Sequence, residues 1–276
     1  MTESTRSAGP RTRLTRRGRL LLAALALMLV AGAVVLVLVL RETGGKVKSL
    51  VIPEGWRAGQ VYAAVDKSLG VAPGTTRQAA SSAGLELPTD ANGNPEGYLF
   101  PATYPVTKKT TPAGLLAYMV DTANKRFGKD HIAAGAGRNK LTVYQTVVVA
   151  SIVQAEADTT ADMGKVSRVI YNRLAKGMPL QMDSTLNYAL NRSTLSTTHA
   201  DTRTDSPYNT YARDGLPPTP IDNPGQQALN AAIAPPPGDW LYFVTVAPGD
   251  TRFTSSYAEQ QRNVREFNNH RSKPAG

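Results

Sequence analysis

Thr142-Val-Tyr-Gln-Thr-Val-Val-Val-Ala-Ser-Ile-Val-Gln-Ala-Glu-Ala157 is the stretch that decides the fold. Thr142 and Gln145 form a T-x-x-Q capping box, which marks a helix start. Val147, Val148, Ile152 and Val153 then supply a wide apolar stripe, and apolar residues occupy nearly the whole circumference. A helix of this kind cannot face water and belongs deep in a core. Its last turn carries one acid, Glu156. A carboxylate there opposes the helix dipole, so its presence is odd on structural grounds.

Downstream, Val166, Val169, Ile170 and Leu174 predict an amphipathic helix over about Ala161 to Lys176, closed by Gly177. Asp183 and Ser184 cap a short helix reaching Leu190. Ser193 to Arg203 is polar and reads as a loop. Ser206 to Gly225, rich in Pro, Asn and Gly, reads as an ordered irregular loop. A helix is expected over Gly225 to Ile233. Two strands follow, Trp240 to Val246 and Thr251 to Thr254, turning at Ala247-Pro-Gly-Asp250. Ser256 and Glu259 cap a last helix that runs to about Asn268.

Upstream, Val47, Leu50, Val51 and Ile52 suggest a strand stopped by Pro53. Val61, Val65 and Leu69 mark a helix over Gly59 to Leu69, and a second short helix spans Thr75 to Gly84. Asp90 to Asn94 is a turn cluster. A longer helix is expected from Thr111 to Phe127, and Gly128 to Arg138 reads as a loop. The alternation of helices and short strands, without an internal repeat, predicts an α+β class.

One further segment sets location. Leu20 to Leu40 is apolar and uncharged, and about 20 residues suffice to span a bilayer's hydrocarbon core. Six arginines and one acid precede it, and positive flanks stay cytoplasmic. A signal peptide's apolar region is shorter and ends in a small-residue cleavage site. The run therefore reads as an uncleaved single-pass transmembrane anchor. It would place the N-terminus in the cytoplasm and the remainder outside the cell membrane. The expected organisation is a basic tail over 1–19, the transmembrane helix over 20–40 and a linker over 41–47. A small α+β unit over 48–104, a larger mixed α+β domain over 105–270 and a tail over 271–276 follow.

The chain carries 31 Lys and Arg against 21 Asp and Glu. Beyond residue 19 there are 25 bases and 20 acids, a mild excess suited to an anionic polymer or lipid surface. No basic run is interleaved with aromatics, so nucleic acid is not indicated. With no cysteine, disulfides and thiolate metal sites are excluded. The three histidines lack zinc-hydrolase spacing, and no metal or organic cofactor is expected.

Glu156 is the first candidate for chemistry. Burial at the end of an apolar helix would keep it protonated, as a general acid requires. An ordinary solvated Glu is the bland alternative. Asp158, Asp162 and Asp183 are possible partners, because a glycosidase normally pairs two carboxylates. Asp158 and Asp162 fit better as acids at the next helix's N-terminus. The Tyr, Asn and Thr side chains of Ser206 to Tyr211 suit sugar rings and acetamido groups, and neighbouring prolines stiffen the loop.

Eight ordered pieces resemble a known family. They are Val51-Ile-Pro-Glu-Gly55, Glu96-Gly-Tyr-Leu-Phe-Pro-Ala-Thr-Tyr104, Ala150-Ser-Ile-Val-Gln-Ala-Glu156 and Val169-Ile-Tyr-Asn-Arg-Leu174. Gly177-Met-Pro-Leu-Gln-Met-Asp-Ser-Thr185, Ser206-Pro-Tyr-Asn-Thr-Tyr211, Gly215-Leu-Pro-Pro218 and Leu241-Tyr-Phe-Val244 complete the series. The chain resembles the endolytic murein transglycosylases of the YceG-like (MltG) type over nearly all of Val47 to His270. The resemblance implies that Glu156 is the catalytic acid and base. It makes Gln181, Asp183, Tyr208, Asn209 and Tyr211 cleft residues that bind substrate. It gives Asn172 and Arg173 structural roles and likens residues 48–104 to a LysM-like subdomain. The implied substrate is the peptidoglycan glycan strand, cut without water to leave 1,6-anhydro ends. Peptidoglycan synthases are candidate partners. Two other readings stay open: a hydrolytic muramidase using Glu156 and Asp183, and a non-catalytic peptidoglycan-binding scaffold.

Overall fold

The computed structural model describes residues 48–193 and 197–272, with side chains to His270. The expected transmembrane helix over 20–40, its basic tail and the linker lie outside the described residues. Among those that are described, no helix is long and apolar enough to cross a membrane.

Strand β1 (Lys48–Val51) lies beside β2 (Thr103–Val106) in a two-stranded sheet. Between them come α1 (Ala58–Leu69) and α2 (Thr75–Ser82). Val61 and Val65, four residues apart, are fully buried on one face of α1, and left-handed Gly70 ends it. Asp66, also buried, accepts from Gly74 N, Thr76 N and Thr76 Oγ1, and so ties α1 to the start of α2. Those donors hold its carboxyl below the usual range, the Thr76 hydroxyl most of all.

Helix α3 (Pro112–Phe127) starts at Thr111, whose hydroxyl accepts from Gly114 N at 3.1 Å. Helix α4 (Asp130–Arg138) corrects the sequence reading, which made Gly128 to Arg138 a loop. Ile132 and Ala136 are buried here, and two glycines hide the pattern. At Gly135 a Cβ would lie 2.5 Å from Ile233 Cβ, so only glycine permits that approach.

Helix α5 (Val143–Glu156) forms the core. Both halves of the capping box are made, and Val147 to Val153 are all buried. Helix α6 (Thr160–Ala175) opens on the cap Thr159, whose hydroxyl accepts from Asp162 N and donates to Asp162 Oδ2, which places Asp162 as a helix-start acid. After it come α7 (Asp183–Ala189) and α8 (Gln226–Ile233). Helix α5 packs against α8 and α6. Strands β3 (Tyr242–Ala247) and β4 (Asp250–Thr254) make an antiparallel hairpin with Phe243 opposite Phe253, and α9 (Tyr257–Ser272) lies on β3. The architecture is mixed α+β, as expected. From Ser49 onward the chain is one compact unit.

Gly97 shows how tightly the motifs are joined. It has φ +84°, and a Cβ would meet Pro220 at 2.5 Å. Gly97→Ala therefore combines backbone strain with overpacking and is expected to cost about 2–4 kcal/mol. Urea unfolding of the two proteins measures this, and an unchanged midpoint would refute the close approach.

Candidate active site

Glu156 ends the most buried stretch of the chain, at the C-terminus of α5. Protein surrounds its carboxyl densely, yet the residue is only half-buried and keeps a face to the outside. Burial pushes its pKa up, and nearby Asp183 adds to the rise. Ser184 partly offsets this; its N–H donates to Glu156 Oε1 at 3.2 Å from the first turn of α7. An accessible carboxyl with a raised pKa is better suited to donate a proton than a free one.

The 206–211 loop packs on the start of that same helix. Thr210 O accepts from Gln181 N at 2.9 Å, and Thr210 Oγ1 accepts from Met182 N at 3.0 Å. The Thr185 and Thr210 hydroxyls also meet at 2.9 Å. These bonds dock the loop on the start of α7, and Tyr211 completes the join by donating to Asp183 Oδ1 at 2.6 Å. Burial, Asp183 and Glu156 together raise the Tyr211 pKa, so this hydroxyl stays a donor. Glu156, Asp183 and Tyr211 thus form one cluster.

Gln181 is exposed beside it, with φ +49° in the left-handed region. Such a conformation in a non-glycine residue is held by its surroundings. Here Arg173 Nη1 donates to Gln181 Oε1 at 3.3 Å and to Leu180 O at 2.8 Å. Tyr208 is half-buried, its hydroxyl 2.9 Å from Thr219 Oγ1 and its ring 4.9 Å from that of Tyr188. Asn209 is placed differently. It is fully buried, and its amide donates to Thr202 O and Thr204 O while its carbonyl accepts from Tyr211 N. Its side chain is consumed in shaping the loop and is not a surface of the cleft.

Two open depressions of about 470 and 580 Å³ flank Leu216-Pro-Pro218 and extend the surface beyond this loop. Glu156 borders neither. Among the described residues no group of three or more His, Asp or Glu side chains is arranged to hold a metal ion.

Sequence reasoning missed Tyr188, Arg57 and Glu96. The Arg57 guanidinium lies 5.2 Å from the Tyr188 ring centroid, and the Tyr188 hydroxyl donates to Glu96 Oε2 at 3.1 Å. A signal was present for Glu96: it heads the wholly apolar Tyr98-Leu-Phe100, where a charge is costly.

The site thus joins an acid at the end of a buried helix to a loop carrying two tyrosines. The profile of the YceG-like family matches residues 28–266, and the chain belongs to that family. It is 38% identical to the endolytic murein transglycosylase of Bacillus subtilis over 168 residues, 60% of this chain and 46% of that protein. It is 36% identical to the endolytic murein transglycosylase of Streptococcus pneumoniae strain D39 over 180 residues, 63% of this chain and 32% of that protein. The matches thus span less than half the length of these curated relatives. The crystal structure of a YceG-like protein from Listeria monocytogenes superposes with a TM-score of 0.66 at 30% identity. That likeness covers 78% of this chain and 75% of the other.

Proposed function

We propose that this protein is a membrane-anchored endolytic lytic transglycosylase. It would cut the MurNAc–GlcNAc β-1,4 bond of peptidoglycan strands and leave 1,6-anhydroMurNAc ends. The observation that carries the reading is Glu156, an accessible carboxyl whose pKa burial raises, in a chain of the YceG-like family.

In this mechanism Glu156 gives its proton to the glycosidic oxygen as the C1–O bond breaks. The leaving GlcNAc departs as an alcohol, and positive charge develops at C1 of the MurNAc unit. Glu156, now a carboxylate, takes the proton from the C6 hydroxyl as that oxygen closes on C1. The acid is restored and no water is consumed. One residue serves both steps because the nucleophile belongs to the substrate and is already positioned. Asp183, oriented by Tyr211, supplies negative charge near the developing cation, and Tyr208 offers a ring face to the sugar.

The other elements fit the same reading. Residues 20–40 anchor the protein with the catalytic part outside the membrane, where new strands emerge. Cleavage there sets strand length, with peptidoglycan synthases as partners. Residues 48–104 act as a LysM-like element against the glycan.

Asp183 beside Glu156 is also what a hydrolytic muramidase would need. Mass spectrometry of products from uncrosslinked glycan strands separates the two. Anhydro ends, one water lighter than reducing ends, are expected from the full chain in mild detergent. Reducing ends would replace this proposal with hydrolysis, and intact strands would leave a binding protein. Tyr211→Phe removes the donor to Asp183 and is expected to lower kcat about 10-fold with little change in melting temperature. An unchanged kcat would remove the Tyr211–Asp183 pair from the mechanism.

A further inference from the structure

Glu96 is 4% exposed and stands apart from the Glu156 cluster. Its Oε1 accepts from Ala58 N at 2.8 Å and from Asn223 Nδ2 at 3.3 Å, and its Oε2 accepts from the Tyr188 hydroxyl. Tyr188 sits on α7, four residues after the Ser184 that holds Glu156. That is about 6 Å along the helix axis. Its ring supports Tyr208, and the Tyr208 hydroxyl is fixed in turn by Thr219. A continuous chain therefore runs from a buried carboxylate to the wall of the cleft. A glutamine would fill the same space and keep an acceptor for Ala58 N, without the cost of a buried charge. An ionisable group kept at such a place points to function.

The groups facing Glu96 are Arg57, Tyr62 in α1, Tyr188 in α7 and Asp222 in the loop before α8. Asp222 is also 4% exposed, and its Oδ1 has no hydrogen-bond partner among the described residues. Burial raises the Glu96 pKa to about 7 and holds that of Asp222 well above its usual value; Arg57 opposes both shifts. A proton on Glu96 Oε2 would turn that atom from acceptor to donor. The Tyr188 hydroxyl would then have to reverse its bond or turn away.

We propose that Glu96 is a positioning residue for the cleft: as an acceptor it fixes Tyr188, and through Tyr188 the ring of Tyr208, against the bound glycan. This rests on the reading of the cleft as the glycan site. The test uses the full chain in mild detergent, with Glu96→Gln and Tyr188→Phe beside the unaltered protein. Nuclear magnetic resonance of tyrosines labelled with carbon-13 at Cζ reads the relay without any substrate. The Tyr188 and Tyr208 signals are expected to move together as pH passes through neutrality, and to stay still in Glu96→Gln. Anhydro-end production from uncrosslinked strands gives KM and kcat. Each variant is expected to raise KM about 3- to 10-fold with kcat within about twofold, the loss of one hydrogen bond felt equally before and during reaction.

Signals that do not move together, or an unchanged KM in both variants, would overturn the proposal. So would a lowered melting temperature with KM intact, which marks a purely structural residue. A chain that cleaves no strands but keeps the coupled signals overturns the proposed function instead, and with it Glu96's role in the reaction, while the relay stands.

Discussion

Glu156→Gln is expected to lower the rate of anhydro-end formation by at least about 10²–10⁴-fold while leaving the fold intact. The amide keeps an oxygen for the Ser184 N–H that Glu156 now accepts. It cannot give or take the proton. Stability should not fall, because the substitution removes an ionisable group from a site that disfavours its charge. The sign follows from linkage. A carboxyl whose folded pKa is raised stabilises the fold below its unfolded pKa and loses that contribution as pH rises through the folded value. The glutamine variant should therefore gain on the unaltered protein at alkaline pH. Activity has the same direction: the rate should decline as pH rises past the Glu156 pKa. Steady-state product analysis and melting curves across pH measure both effects. A variant with full activity would remove Glu156 from the chemistry, and one that fails to melt cooperatively would assign it to the core.

Arg173→Met is expected to destabilise the protein by about 3–5 kcal/mol, the range for breaking a buried polar network. Arg173 is 6% exposed, and no ion pair involves it among the described residues. Its guanidinium instead donates to Leu241 O at 2.6 Å, to Leu180 O at 2.8 Å and to Pro179 O at 3.1 Å. Its carbon lies 5.3 Å from the Tyr242 ring centroid. Three carbonyls, that of Leu180 buried and the other two half-buried, would lose this donor at once. For a chain of this size the melting temperature should drop by roughly 10 °C. Arg173→Lys should recover only part, because one ammonium cannot reach all the carbonyl acceptors spread around that fork. Activity should fall beyond what stability explains, since the same fork holds Gln181 in its left-handed turn beside Glu156. A lysine variant as stable as the unaltered protein would refute this account.

Elements with a strong local signature were legible in the sequence. The capping box and unbroken apolar circumference of α5 announce its start and its burial, and both are found. The hairpin of β3 and β4 follows from its alternation and its Pro-Gly turn. What stayed hidden depends on partners far along the chain. Helix α4 looked like a loop because its glycines read as breakers, whereas Gly135 is small to admit Ile233. Asn209 carried the chemistry of a sugar ligand in its amide, but whether an amide faces a cleft or its own loop is decided by the fold. Glu96 was visible as part of a motif and silent as to role. Its partner Tyr188 is 92 positions away.

The seam between the 52–99 and 220–225 segments also bears on how the chain is made. Asn223 Nδ2 bonds to Trp56 O across 167 positions, and Asn223 Oδ1 accepts from Leu99 N across 124. Gly55 N reaches Asn223 O, and the Glu54 carboxylate lies where Gly225 would carry a side chain. Contacts this distant in order close slowly, because the loop entropy comes due before the contact rewards it. During synthesis the first hundred residues emerge long before the strip that seals them. The backbone groups of Gly55, Trp56 and Leu99 must wait, unpaired, until Asn223 has left the ribosome. A chain truncated anywhere before Pro220 would be left with that seam unsewn, and exposed to aggregation and to proteases.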